Sequence, residues 1–275
     1  MALTGIEKNR RGKIRISAKS KSNTAIRLLI IILAVISVTA VLTFDYKDID
    51  LRGALSDTLT NAKTVFLTPE LSRGTLFEVL HQLLITFCLG ALSTIFGMVL
   101  AFFCSLLCAK NIASSKAANF IKSIVALVRA VPTVLWVLIF AVSAGLGSVA
   151  AVVGLTFHSF AYLTKVYAEA IEEIDDGTIE ALKASGASFG QIVTQAILPS
   201  SISYMIAWTF MRFEINFTNA VAMGAAAGAG GIGFNLAMAG SFYFDLSEMG
   251  ILTYIVVIAV VLLEAMSTKI KARAK

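Results

Sequence analysis

Charge and proline are what this chain has least of. Charged residues occupy 15% of its 275 positions, and prolines number 3. So little charge, beside 57% hydrophobic residues and a mean hydropathy of +0.84, excludes an ordinary soluble domain. The shortage of proline suits long helices. Cysteine is scarce as well, and Cys88, Cys104 and Cys108 fall in one apolar segment. Cys104 and Cys108 lie one helical turn apart, which suits neither a disulfide nor a four-ligand metal site, so they read as packing residues. No Walker A motif occurs anywhere, so the chain cannot itself be an ATPase. No metal-ligand set and no nucleophile–base pair stands out, and no catalytic or metal site is assigned.

The apolar residues are gathered into blocks instead. A helix needs roughly 20 residues to cross a bilayer, and six candidate spans emerge, at residues 25–44, 80–108, 120–142, 148–167, 201–221 and 249–266. The second is overlong and predicts a tilted or protruding helix. Eight of the 23 basic residues lie between Lys8 and Arg27, and Lys269, Lys271, Arg273 and Lys275 close the chain. Basic tails beside spans mark a cytoplasmic side, and this placement argues against nucleic acid as the reason for the formal charge of +6. Residues 45–73 mix four basic with five acidic side chains, Lys110, Lys116 and Lys122 mark the next loop as inside, and 217–248 holds no Lys or Arg.

The expectation is an all-α integral membrane protein with six transmembrane helices and both termini cytoplasmic. Its parts are a basic tail (1–24), a first span (25–44), an extracytoplasmic segment (45–75), a core (76–268) containing a polar loop (169–199), and a second basic tail (269–275). The first tail is expected to be disordered or to lie on anionic lipid. Val38-Thr39-Ala40 would be tolerable at a cleavage site, but a long basic region precedes the first block and five more spans follow. It therefore reads as an uncleaved helix rather than a signal peptide.

The loop at 169–199 is acidic, yet the parity of the spans puts it inside. Asp175-Asp176-Gly177 breaks the helix leaving the fourth span, and Asp176 or Thr178 can cap a short helix over 179–185. Gly186 permits a sharp turn. Ser188-Phe-Gly-Gln191 has the capping-box pattern that starts a second helix, expected to end at Pro199. Helices this short need a surface to pack on. Ile179, Ala181 and Leu182 offer a small apolar contact and Glu180 a directed charge. The pair reads as a lever docked in the groove of another protein, with an ordinary amphipathic linker as the plainer alternative.

Arg212-Phe-Glu214-Ile-Asn216 falls near the middle of the fifth span. A charge at that depth costs on the order of 2.5–3.5 kcal/mol on insertion scales and needs a partner or a water-filled path. Arg212 and Asn216, four apart, share a helical face, whereas Glu214 points elsewhere and is expected to bond a neighbouring helix. Two readings stand for Arg212: a cationic point on an anion's path, or an interhelical bridge. Arg129 reads first as a snorkelling residue and second as a pathway residue, with Pro132 kinking its helix ahead of Trp136. His158 reads as a hydrogen-bonded packing residue before a ligand contact. Gly228-Ala-Gly230-Gly231-Ile-Gly233 satisfies G-x-G-x-x-G but lacks the strand and acidic residue of a dinucleotide site. Flexible backbone or close helix approach fits it better.

The spacing Glu180-Ala-Leu182, three residues, Gly186, then a helical run into Leu198-Pro199 resembles the coupling loop of the inner-membrane permeases of binding-protein-dependent ABC importers. Ala196 departs from the Ile usual three residues before that proline. Tyr167-Ala-Glu-Ala-Ile-Glu-Glu-Ile-Asp175, Arg129-Ala-Val-Pro132 with Trp136, and Arg212-Phe-Glu-Ile-Asn216 followed by Gly228-Ala-Gly-Gly-Ile-Gly-Phe234 are similar to the phosphonate permease family within that group. The likeness covers roughly residues 75–268 and is weak in the N-terminal region.

The resemblance implies a type I importer fold in a bacterial cytoplasmic membrane and a homodimer of this chain. It implies two cytoplasmic ABC ATPase subunits, which bind the ATP and Mg, and an extracytoplasmic phosphonate-binding protein. It further implies coupling through Glu180, Ala181, Leu182 and Gly186, and a translocation pathway that draws on Arg212, Asn216, Glu214, Arg129 and Trp136 beside Gly228, Gly230, Gly231 and Gly233. Phosphite, phosphate esters and methionine remain alternative cargoes. A membrane-embedded enzyme or scaffold is the rival from another class, and it would need a polar catalytic cluster that the sequence does not offer.

Overall fold

The computed structural model describes residues 6–8, 14–16, 21–44 and 50–273. Most of the tail at 1–24, and residues 274–275, lie outside them, so the expectation of a disordered or lipid-bound tail does too. Two compact units emerge, Met1–Thr58 and Leu59–Lys275. In the first, β1 (Ile6–Lys8) pairs antiparallel with β2 (Ile14–Ile16), the one departure from an all-helical chain among the described residues. Helix α1 (Lys21–Thr43) follows. Thr39 and Thr43 return their hydroxyls to the carbonyls of Val35 and Thr39, at 2.9 and 2.8 Å. That internal bonding is what a helix in lipid requires of its polar groups. Helix α2 (Leu51–Leu67) carries the chain into the second unit.

The second unit is built on three long helices: α3 (Leu76–Cys108), α6 (Ser148–Glu172) and α9 (Leu198–Ala227). Thr75 and Glu78 form a capping box that starts α3. Between α3 and α6 the expected span at 120–142 is two helices, α4 (Ser115–Ala130) and α5 (Thr133–Ala144), bent by 89°. The cause is local. Pro132 offers no N–H to the helix and holds Val131 extended (φ −84°, ψ 124°). With 12 residues, α5 is about 18 Å long, short of the roughly 30 Å of hydrocarbon a span must cross. Among the described residues, four helices are long and apolar enough to cross a membrane, or up to six if each of two bent pairs counts as one span.

Beyond α6 come α7 (Asp176–Ala184) and α8 (Phe189–Ile192). A π-helical turn at Val193–Ile197 then runs straight into α9. Pro199 therefore does not end a helix. It sits in the first turn of α9, just past the π turn, where a missing N–H is tolerated. After α9 the short α10 (Gly231–Ala237) and a second π turn (Met238–Phe242) lead to α11 (Leu246–Arg273).

Helix α6 is the centre of packing, lying along α3, α5, α9 and α4. Its buried positions are mostly small: Ala150, Ala151, Gly154, Ser159, Ala161, Thr164, Ala168 and Ala170. Lipid is as apolar as leucine, so helices inside a membrane associate where small residues let backbones approach. At the foot of α6, Leu163, Tyr167 and Ile171 form a core with Ile179 of α7, Ile192 of α8 and Ile197.

Candidate functional site

The middle of α9 places Arg212 and Asn216 on one face, toward α3 and α6. Two glycines of α3 make room. A Cβ on Gly90 would sit 3.0 Å from the Phe217 nitrogen, and one on Gly97 would sit 2.6 Å from the Ser159 Cβ. In the resulting junction Asn216 Nδ2 donates to Thr94 Oγ1 (2.8 Å) and Ser159 Oγ (2.7 Å). Arg212 Nε donates to the same Ser159 oxygen at 3.0 Å, and Arg212 Nη2 lies 2.9 Å from His158 Nδ1. The accounting closes: Ser159 gives its one proton to the Leu155 carbonyl (2.6 Å) and accepts from both Arg212 and Asn216. Thr94 likewise donates to the Gly90 carbonyl at 2.7 Å.

Arg212 is 2% exposed, and Ser159 and Asn216 are wholly buried. Its guanidinium also lies 5.4 Å from the Tyr162 ring centroid. No carboxylate pairs with Arg212 among the described residues. The junction therefore anchors a buried cation through Nε and Nη2 without neutralising it, which leaves a positive potential that favours an anion.

The other candidates are scattered around this junction. Glu214 is half-buried, and its carboxylate bonds no neighbouring helix among the described residues, against the expectation from sequence. Trp136 gives its indole N–H to the Val128 carbonyl (3.0 Å) and stacks on Phe140, so it braces the elbow between α4 and α5. Arg129 is exposed on a cleft of about 290 Å³ with Lys122, Lys165, Glu169 and Glu172. Lys122 pairs with Glu172 at 2.7 Å and Lys165 with Glu169 at 3.5 Å, which leaves Arg129 as the cleft's cation without a carboxylate partner among the described residues.

The polar loop is two short helices, as expected, with two corrections. Asp175, not Asp176 or Thr178, caps α7 by accepting from the Thr178 N–H (3.1 Å). Ile179 is buried in this chain's own core and is not on offer to a partner, while Glu180 and Ala181 are exposed and Leu182 is half-buried. Gly186 takes φ +81° and closes α7 with bonds from its own N–H to Lys183 and from Ala187 to Leu182. Ser188 and Gln191 form the expected capping box.

Gly228 ends α9 in the left-handed region (φ 60°). The Ile232 N–H at the start of α10 then donates to Thr86 Oγ1 of α3 (3.0 Å). A Cβ on Gly224 would stand 2.7 Å from the Gly230 carbonyl oxygen. A Cβ on Gly231 or Gly233 would run into Thr86 or Val221, whereas Gly228 and Gly230 stand in open space at φ +60° and +80°, so the segment combines close helix approach with backbone that favours glycine. At the start of α11, Arg73 Nη1 reaches Asp245 (3.0 Å) and Glu248 (2.8 Å) and its guanidinium lies 4.2 Å from the Tyr243 ring centroid. The N–H of Glu248, then Ser72 and Arg73, hold the Asp245 carboxyl below its ordinary range.

Sequence reasoning paired Arg212 with Asn216 and missed Thr94 and Ser159. It read His158 as a hydrogen-bonded packing residue before a ligand contact, and the structure gives it one bond, to Arg212. The available signal was the pair His158-Ser159 in the middle of an apolar block, one span away from the buried arginine.

Residues 93–268 match the family described as binding-protein-dependent transport system inner membrane component. The chain is 28% identical to the phosphate-import permease protein PhnE of Mycolicibacterium smegmatis, over 68% of this chain and 35% of that protein. It is 32% identical to the putative phosphite transport system permease protein HtxC of Stutzerimonas stutzeri, over 55% of this chain and 54% of that one. It thus spans about a third to a half of the length of these curated relatives. An inward-facing structure of the MetNI methionine ABC transporter superposes with a TM-score of 0.65 at 25% identity, covering 73% of this chain and 97% of that chain.

Proposed function

We infer the function from one premise: the chain belongs to the family of binding-protein-dependent transport system inner membrane components, and is a multi-pass membrane permease of the ABC transporter type. Our reading is that it forms the path of an ATP-driven importer of phosphorus oxyanions, phosphonates first. Two copies would assemble with two cytoplasmic ATPases, which bind ATP and Mg, and an extracytoplasmic binding protein. Both bent pairs would count as spans, giving six with both termini cytoplasmic. The observation that carries the cargo class is the buried Arg212, held through Nε by Ser159 and through Nη2 by His158 and neutralised by no carboxylate among the described residues. The names of the first relatives, phosphate and phosphite permeases, agree in chemistry.

Coupling would pass through α7. Glu180 and Ala181 are exposed, Leu182 is half-exposed, and Gly186 sets the turn behind them. Because Ile179 roots α7 in the core shared with α6 and α9, a push on α7 is carried to the helices that hold His158, Ser159, Arg212 and Asn216. Asn216, Glu214, Arg129 and Trp136 would line or brace the same path, with Gly228, Gly230, Gly231 and Gly233 fixing the helices beside it. The switch from outward to inward access is then a rigid-body rearrangement.

A second reading, methionine as cargo, is favoured by the fold likeness to the methionine transporter. The test is uptake of labelled 2-aminoethylphosphonate, phosphite and methionine into vesicles holding the complete complex. Glu180→Ala should lose both uptake and the ATPase stimulation given by loaded binding protein. Methionine uptake without either phosphorus compound would replace the first reading by the second. Full coupling in Glu180→Ala would remove α7 from the role given to it.

A further inference from the structure

We propose that a ladder of unpartnered hydrogen-bond donors along the seam where α6 packs on α9, formed by His158, Tyr162, Trp208 and Tyr204, binds the oxyanion group of the cargo, with the charge of Arg212 behind it. The proposal rests on the reading of the cargo as a phosphorus oxyanion and names the groups that would touch it.

His158 supplies the first rung by a donor argument. Arginine can only donate, so the ring nitrogen 2.9 Å from Arg212 Nη2 must accept. Nδ1 therefore carries a lone pair, the imidazole is neutral, and its proton sits on Nε2. That Nε2–H has no partner among the described residues, and His158 is only half-buried. The buried side-chain polar atoms without a partner are Asn111 Oδ1 and Ser267 Oγ alone among the described residues, so Nε2 opens to free space. Arg212 cannot reach cargo directly at 2% exposure, but through Nδ1 it polarises the outward N–H.

The remaining rungs follow without a gap. The Arg212 guanidinium lies 5.4 Å from the Tyr162 ring centroid, the Tyr162 and Trp208 rings are 6.3 Å apart, and Trp208 and Tyr204 are 5.8 Å apart. His158 and Tyr162 are one turn apart on α6, as are Arg212, Trp208 and Tyr204 on α9, so the ladder runs about 12 Å along the α6–α9 seam. Among the described residues three other heads are engaged, Trp136 with Val128, Tyr167 with Thr209 and Tyr254 with Phe66, whereas the Tyr243 hydroxyl, far along the chain from the ladder, bonds nothing. The heads of Tyr162, Trp208 and Tyr204 bond nothing among the described residues, although Tyr162 and Trp208 are half-buried.

The chemistry selects the ligand class. Indole N–H and the Nε2–H of this tautomer only donate, and a phosphorus oxyanion offers several accepting oxygens. The charges of Arg212 and Arg129 both act on His158 and Tyr162, with the Glu169 carboxylate acting on Tyr162 alone. An ordinary aromatic belt at a membrane surface would have no reason to begin at a histidine braced by a buried arginine.

The test uses the full complex in vesicles, with labelled 2-aminoethylphosphonate, phosphite and methionine as probes. Three variants are compared by cargo carried per ATP hydrolysed. In His158→Met the donor is lost. In His158→Gln the amide oxygen can accept from Arg212 while the amide N–H replaces Nε2–H. Trp208→Phe keeps the ring and deletes its donor. Phosphonate and phosphite carried per ATP should fall about 10-fold or more in His158→Met, as for the loss of a hydrogen bond to a charged group. The loss should be roughly 3-fold or more in Trp208→Phe and within about 3-fold of wild type in His158→Gln. Wild-type transport of the phosphorus compounds that is untouched in His158→Met and Trp208→Phe overturns the ladder alone. So does a His158→Gln variant as impaired as His158→Met. Wild-type transport of methionine and of neither phosphorus compound overturns the cargo reading, and the ladder with it.

Discussion

Helices α6 and α11 are both long and apolar enough to cross a membrane, yet they are used in opposite ways. The most apolar stretch of α11 has a mean hydropathy of 2.4 and is 17% buried within the chain, whereas that of α6 reaches 1.4 and is 56% buried; α3 lies between, at 2.3 and 33%. The order is the reverse of a soluble protein's, where the most apolar helix goes inside. Lipid rewards an apolar exterior, so large aliphatic residues such as Val257, Ile258, Val261 and Leu262 face outward on α11. Small and hydroxyl-bearing residues are left to make the interior, and there polar groups must be fully paired. In this chain a dip in hydropathy marks the helix that builds the site.

The largest test of that contrast is to enlarge one residue in the interior. Gly97→Ala would bring a methyl to 2.6 Å from the Ser159 Cβ and 3.0 Å from the Phe160 nitrogen. Something must move, and overpacking of this kind costs about 1–3 kcal/mol. The displaced Ser159 is also the hydroxyl that Arg212 and Asn216 share, so cargo transport should fall with stability. Val261→Ala on α11, at 56% exposure, should change stability by less than about 0.5 kcal/mol. Unfolding midpoints of the two purified variants in detergent check the pair. Equal effects would break the comparison between the helices.

The same contrast explains what could be read in the sequence. Hydropathy located α1, α3, α6, α9 and α11 but not the 17-residue α2, which lies in the segment expected at 45–75, and the four-residue spacing put Arg212 and Asn216 on one face. Their partners were not legible, because Thr94 and Asn216 are 122 positions apart and nothing local marks one hydroxyl in an apolar run as more important than another. Pro132 announced a break between α4 and α5, but not an angle of 89°, which depends on tertiary contacts such as the indole of Trp136 bonding back to Val128. Ile179 looked like a docking residue, since an amphipathic pattern does not say whether its apolar face meets a partner or the chain's own core. Pro199 looked like a helix end, since a π turn that leads into a first-turn proline has no simple sequence signature.

A smaller effect is expected from deleting one member of the junction without crowding it. Asn216→Ala removes donors to Thr94 and Ser159 and leaves both hydroxyls their backbone acceptors, at Gly90 and Leu155. Interhelical hydrogen bonds in membranes are worth about 0.6 kcal/mol on average, so the loss should be about 1 kcal/mol for the two. Chemical unfolding of the purified chain measures it. A loss as large as that of Gly97→Ala would mean that bonding, rather than close approach, dominates the interior.

The smallest effect concerns the attachment of α11, which relies on exposed charge where α6 relies on burial. Arg73 bridges to Asp245 and Glu248 with 46% of its own side chain exposed. Asp245 is held below its ordinary 3.8, first by the Glu248 N–H at the start of α11 and further by Ser72 and Arg73. A depressed carboxyl stabilises the fold above its unfolded-state value and loses that contribution as the pH falls through the lower folded-state value. The thermal midpoint of wild type should therefore exceed that of Asp245→Asn at neutral pH, and the gap should close only in acid below the ordinary aspartate range. High salt should narrow the gap at neutral pH, because exposed pairs are screened once the Debye length falls to roughly 3 Å. The effect of Asn216→Ala should barely respond to salt, since its bonds are wholly buried and join neutral groups. If both variants respond alike to salt, the division between a helix held by burial and a helix clasped by charge does not hold.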